Sequence, residues 1–596
     1  MNNQRKLIVC LLLMVGVGFS FSCKKVIDNG SGDGTDSTST DGYLGNYTFS
    51  NSKYDSLYMY AKAFYLWNSD LPTFQKFDPA GYKNGDSLKG LQNELYALTQ
   101  IPINPETSEP YEYDSDYQGE SKYSYMLLTA DNTGGGNSSF VVKPNTQSFT
   151  LDGYGNDLGI HFGFTNPYAV DSAGDYILKN GERTYDQDTV ITVLKYVDNG
   201  SPAQKAGLKR GDIIYKMNGE AKGYNDFSSS SALNTYYNDI LDGTSLDIVT
   251  VDSLYPKSGK RKETTSKLTK KQYDFNPVIL DSVISLPGGI KVGYLVLEGF
   301  TQLDNAKAPL DKALAKFAGV SDLVVDLRYN GGGAVETSEY LANAFVASGN
   351  DGKTLFSMNY NDSLKDESTY SSFLKSVLKS QKLYNDDGVT PSGKTTLDID
   401  YSVSGNTEKV AKSGSIKTTN NRIFFIVGGG TASASELLIN ALKPYNNVVL
   451  VGAWYAETPE VDADNNYEIR TYGKPVGFFD LRLGDYTMYM SMFQSLNADS
   501  EGDYYNGFLT DALGYDDVLT DFAKSEDPYE SLNRILQSLD DTYKVPGASS
   551  RVGLHTSFKS RRIESNAVLR QSLNSFEKAQ NERNFKPMVR KTFRLK

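Results

Sequence analysis

The stretch GGGTASASELLINAL, Gly428 to Leu442, sets three glycines and an alanine–serine alternation between the apolar run NRIFFIV and an apolar helix face. Ser433 and Glu436 stand in the Ser-x-x-Glu relation of a capping box, which satisfies amide donors at a helix start. The same junction suits a nucleophile. A strand, a glycine turn and a helix in succession can expose a serine hydroxyl and aim free helix N-terminal amides at a substrate oxygen. Such a serine needs a base for its proton and donors for the developing oxyanion. The 596 residues contain two histidines, His161 and His555, so lysine is the expected base. A lysine serves only if burial or neighbouring cations keep it neutral.

Composition is that of a globular protein of two to four domains, 39% hydrophobic and 22% charged. A formal charge of −13 argues against nucleic acid as the main partner, because phosphate binding needs a basic face. The charge is uneven: Arg551 to Lys596 is net +9. That basic tail is read as solvated, docked on the acidic body, or set against anionic lipid or glycan. At the other end MNNQRK, LIVCLLLMVGVGF and SFSCKK succeed one another, an apolar run too short for a comfortable membrane span. The segment resembles a bacterial lipoprotein signal with Cys23 as the lipidated residue. Phe21 departs from the small residue usual there, and a plain secretory signal is the alternative. Cys10 is the only other cysteine, so neither a disulfide nor a cysteine metal site is expected. No metal or nucleotide cofactor is implied.

Along the chain, 1–22 reads as signal and 23–48 as a flexible tether. Residues 49–139 read as a helical domain, with one helix from Tyr54 to Pro72 and a second around LKGLQNELYAL. Residues 140–265 carry short strands. Their stretch TVITVLKYVDNGSPAQKAGLKRGDIIYKMNG resembles a PDZ domain. In that family a Gly-Leu-Gly-Phe-type loop offers amides to a peptide's terminal carboxylate, and the peptide adds as a strand. The corresponding residues are Leu158, Gly159 and Ile160, after Asp157. From 270 to 545 strands and helices alternate as in an α/β core, with an apparent insertion at 349–420. The basic tail is 546–596.

Together these segments resemble the C-terminal processing peptidases, tail-specific proteases of serine peptidase family S41. The motifs are the PDZ-like module, Asp326 to Gly333 (DLRYNGGG), Ala432 to Glu436 (ASASE) and Gly473-Lys474. The resemblance implies a multidomain α/β protein: a ClpP/crotonase-like core, a preceding PDZ-like module and an N-terminal helical domain. It implies Ser433 as nucleophile, Lys474 as base, and the amides of Ala434 and Gly333 as oxyanion donors. Substrates would be polypeptides with exposed C-termini, and the location would be the cell envelope through a lipid at Cys23. Two departures stand out: an acid-rich link between Gly452 and Thr471, and Phe478 where the family often carries glutamine. The rival reading is a non-catalytic PDZ lipoprotein that binds protein tails or surface glycan.

Overall fold

The computed structural model of the chain describes residues 52–114, 119–129, 150–179, 182–186, 189–223, 226–255, 260–384, 390–411, 416–454, 460–461, 467–548, 552, 554, 585–589 and 593–596. The signal, the tether, Cys23, His555, most of the basic tail and most of the acidic link lie outside the described residues. Among those described, no helix is long and apolar enough to cross a membrane.

The run SDLVVDL is apolar because its strand, Asp322–Asp326, is covered on both faces. Side chains alternate across a strand. Leu323 and Val325 pack with Leu310, Phe317 and Leu341 on one side. Val324 packs with Leu532, Ile535 and Leu536 on the other. The sheet has six strands, ordered Val278–Ser285, Lys291–Leu297, Asp322–Asp326, Arg422–Val427, Asn447–Trp454 and Ala512–Tyr515. The first pair is antiparallel and the other four pairings are parallel. Helices Leu303–Lys316, Val335–Phe345 and Ala434–Leu442 contribute to the first core, and helix Ser531–Leu539 to the second.

A second, β-rich unit holds five antiparallel strands in the order Ile160–Thr165, Ile191–Val197, Ile213–Met217, Ser245–Val251 and Glu263–Thr269. Helix Ser230–Asp242 packs on it through Tyr237, whose ring meets Phe162 and Phe164 edge-on at 5.0 and 5.2 Å.

Two expected boundaries need correction. The N-terminal helices, Lys53–Phe64 and Ser87–Thr99, do not form a separate domain. Leu57, Tyr58, Leu91 and Leu95 belong to the main core, and Tyr125–Leu128 pairs antiparallel with Tyr486–Tyr489. The first helix also stops at Phe64, well before Pro72. Lys62 Nζ donates to the carbonyls of Asn68 and Leu71, and Asn68 Nδ2 donates to the Lys62 carbonyl, closing a turn that replaces further helix. Nor is 349–420 a detachable insertion. Its strand Thr354–Tyr360 sits inside a four-stranded sheet ordered Thr407–Lys409, Thr354–Tyr360, Phe493–Asn497 and Val476–Gly477. Phe356, Met358 and Tyr360 are buried in the main core.

A buried ion network joins the β-rich unit to the core. Arg328 binds Asp326 (2.8 Å), Asp516 (2.8 Å) and Glu530 (3.1 Å). Arg210, from the β-rich unit, binds the same Asp516 at 2.5 Å and donates to the Tyr329 hydroxyl at 2.7 Å. Burial alone would raise the Asp516 pKa, but the two guanidiniums hold it well below the ordinary carboxylate value. Removing one partner of a buried pair strands the other charge. Asp516→Ala is therefore expected to cost about 3 kcal/mol or more, read as a lower urea midpoint. The exposed pair Lys307–Asp311 serves as control, and Asp311→Ala should leave that midpoint in place.

Candidate active site

Ser433 ends the glycine turn at φ 63°, ψ −116°, the first central position of a type II′ turn, which favours glycine. Strand Arg422–Val427 delivers the turn, and Thr431 Oγ1 fixes it by donating to the Leu327 carbonyl at 2.8 Å. The neighbouring turn is tied in through Asn330. Its carbonyl accepts from Ala432 N–H (3.3 Å) and Ser435 Oγ (3.0 Å), and its Oδ1 accepts from Gly332 N–H (2.9 Å). Gly333 in that turn has φ 136°, and a Cβ there would lie 2.0 Å from the Phe300 carbonyl oxygen. Only glycine fits so close a backbone approach. The turn carrying Gly333 is thereby seated beside the helix start carrying Ala434.

Glu436 does more than cap the helix. Its fully buried carboxylate accepts Ser433 N–H (3.0 Å), Thr471 Oγ1 (2.5 Å), Gly473 N–H (2.7 Å) and Lys474 N–H (2.8 Å). One side chain thus holds the backbones of Ser433 and Lys474 together. Burial raises the Glu436 pKa, and these four donors work against that rise. The Ser433 hydroxyl, by contrast, has no hydrogen-bond partner among the described residues.

Lys474 is fully buried. Desolvation lowers its pKa from 10.5 to about 7, outweighing the opposing pull of Glu112 and Glu436. The ring centroid of Phe478 lies 4.4 Å from Nζ and that of Tyr123 lies 5.8 Å away. Tyr123 also donates its hydroxyl to the Gly473 carbonyl at 2.5 Å. Sequence reading missed Tyr123 and Glu112. They arrive from the N-terminal segment, and no motif marks them. The acidic link, feared as a source of carboxylates near Lys474, is mostly outside the described residues, and the acids named here act from elsewhere.

The β-rich unit's loop is less open than expected. Leu158 and Ile160 are buried in that unit's own core. Gly159, at φ 69°, donates its N–H to Asp157 Oδ1 at 2.9 Å, so this amide is already engaged. His161 hydrogen-bonds to Asp198 rather than to the serine turn. It stacks on Tyr196, and its Nε2 lies 2.6 Å from Asp198 Oδ1 and 3.7 Å from Glu298 Oε1. Two ligands sharing a tetrahedral metal would stand about 3.3 Å apart, so the 2.6 Å contact is a hydrogen bond.

Fluorophosphonate labelling of Ser433 should therefore rise with pH through about 7, because only the neutral Lys474 amine accepts a proton. Phe478→Ala would admit water, raise the amine's pKa toward 10.5 and move that rise to higher pH. An unmoved profile would remove the ring's role. The backbone at Ser433 makes a separate prediction: Ser433→Gly should melt above Ser433→Ala by on the order of 1 kcal/mol. Equal melting temperatures would remove the strain.

Residues 291–458 match the family model for peptidase family S41, a stretch that contains Ser433 and ends before Lys474. The chain is 26% identical over 264 residues to the chloroplastic C-terminal processing peptidase of Tetradesmus obliquus, covering 42% of this chain and 45% of that one. It is 27% identical over 321 residues to a Staphylococcus aureus protein designated a CtpA-like serine protease, covering 53% and 47%. The chain spans about half the length of these curated relatives. A Bacteroides fragilis crystal structure carrying the S41 protease designation aligns with 84% of this chain and 99% of its own, at 18% identity and a TM-score of 0.47. Residues 291–458 of this chain are thus similar to peptidase family S41, and the relatives that carry the likeness are a C-terminal processing peptidase and CtpA-like serine proteases.

Proposed function

We propose that the whole chain is an endopeptidase that cuts polypeptides with a Ser433–Lys474 dyad. The observation that carries this reading is the Glu436 carboxylate, which clamps Ser433 and Lys474 side by side while burial brings the lysine amine to about 7. In this mechanism the neutral Lys474 takes the Ser433 proton as Oγ attacks the scissile carbonyl. The Ala434 and Gly333 amides stabilise the oxyanion. Lys474 then returns the proton to the leaving amine, and water, deprotonated by the same amine, releases the acyl group. The parallel sheet feeding two glycine turns supports a core of the ClpP/crotonase kind.

Substrate capture is assigned to the PDZ-like β-rich unit, between its edge strand Ile160–Thr165 and helix Ser230–Asp242. A terminal carboxylate at Leu158, Gly159 and Ile160 would have to displace Asp157 from the Gly159 amide. A lipid at Cys23 would hold the enzyme at the cell envelope.

Ser433→Ala and Lys474→Met should each abolish cleavage of an unstructured protein, and the double variant should lose no more than either alone. Ser433→Ala leaves the Glu436 carboxylate on the residue-433 N–H, so its folding is expected to be intact. A folded Ser433→Ala protein that cleaves at the parental rate would overturn the assignment. Binding of unfolded protein with no cleavage by the parent would favour the non-catalytic reading.

A further inference from the structure

The basic segment that the sequence left without a role returns to the site. Phe585–Val589 forms a strand parallel to Gly331–Ala334, with Phe585 opposite Gly331, Lys586 opposite Gly332 and Val589 opposite Ala334. Gly333 therefore faces two residues, Pro587 and Met588, across a bulge. On the other flank Phe478 N–H donates to the Met588 carbonyl at 3.2 Å, and Met588 is fully buried. The strand thus runs between the turn bearing Gly333 and the loop that follows Lys474.

We propose that this groove is where a substrate polypeptide adds as a strand, and that Phe585–Val589 occupies it as an intramolecular competitor. The inference rests on the peptidase reading above and names the substrate's path through the same site. An extended chain paired with Gly331–Ala334 is carried past the Gly333 amide, and backbone pairing of this kind accepts many side chains. Phe585–Val589 already pairs along Gly331–Ala334, so a substrate strand takes that edge only when Phe585–Val589 leaves it.

The occupant is built to stay uncut. The bulge takes its backbone out of step opposite Gly333, Pro587 has no N–H to offer a ladder, and the Met588 carbonyl is already held by Phe478. Its anchors lie downstream. Phe593 meets Phe479 edge-on at 5.2 Å, and Asp400 N–H donates to the Arg594 carbonyl at 2.9 Å. Arg594 pairs with Glu408 at 3.0 Å and Lys596 with Glu367 at 2.9 Å. Both ion pairs are partly in water and individually weak, which suits a contact that must give way.

The test uses the full chain with two variants, Met588→Asp to expel the strand and Phe593→Ala/Arg594→Ala to loosen its anchor. Each should raise fluorophosphonate labelling of Ser433 and hydrolysis of an unstructured protein about tenfold, the gain expected if the groove is open a tenth of the time in the parent. A fluorescent peptide with the sequence of residues 585–596 should bind full-length Ser433→Ala/Met588→Asp and be displaced by unfolded protein. If Met588→Asp fails to fold, the anchor variant and peptide competition on it decide. Hydrolysis at the parental rate in every folded variant would overturn the competitor while leaving the peptidase reading in place. Peptide binding with competition but no hydrolysis by any protein would uphold the groove and sink the peptidase reading. A peptide that binds no emptied groove would overturn the inference outright.

Discussion

The Glu436 carboxylate is the constraint on which the site depends. It sits on the first turn of the elbow helix, yet three of its four donors come from Thr471, Gly473 and Lys474, a different part of the chain. A carboxylate buried this deeply is tolerated only because those donors replace water. The cost of leaving any of them unpaired is what locks the lysine loop to the serine turn. A side chain that would ordinarily finish a helix end has been made the hinge pin between two halves of one reaction centre.

Locking the backbones together leaves the charge of Lys474 to be settled, and there the decisive contacts are apolar. Phe478 lies over the amine where a hydrogen-bonding side chain was expected, and Tyr123 approaches from the N-terminal segment. Each ring face lies within cation–π range of the amine, an attraction that favours the ammonium, but both rings also exclude water from it, which favours the neutral amine. Glu112 and Glu436 oppose them, and desolvation wins. The N-terminal segment is consequently part of the surroundings of Lys474, since it supplies Tyr123.

What could be read in advance followed the range of the interaction. The two glycine turns, Asp326–Gly333 and Gly428–Ser433, were legible because strand, turn and helix follow one another locally. Glu436 was legible only as a cap partner, because its bonds to the lysine loop span thirty-five residues or more. Tyr123 could not be found at all, being one tyrosine among forty-two. The strand Phe585–Val589 was not legible as a strand: the basic tail was read as solvated, docked on the acidic body or set against anionic lipid or glycan, and Pro587 and Lys586 gave no sign of β structure. Pairing opposite a glycine turn asks little of side chains, so the sequence carried no β pattern to betray it.

The arginine network gives the glycine turn a second dependence. Asp326 and Asp516 hold Arg328 at the head of the turn that carries Gly333, and Asp516 is shared with Arg210 from the β-rich unit. Because both guanidiniums share the Asp516 carboxylate, withdrawing Arg210 would change the field on Arg328 without touching the turn itself. Asn330 then passes any displacement of that turn to Ala432 and Ser435 at the serine elbow. The position of the β-rich unit and the geometry of the turns carrying Gly333 and Ser433 are therefore linked through packed, buried charges. Such charges tolerate a discrete rearrangement far better than a gradual loosening, since every intermediate position leaves a bare charge in the core.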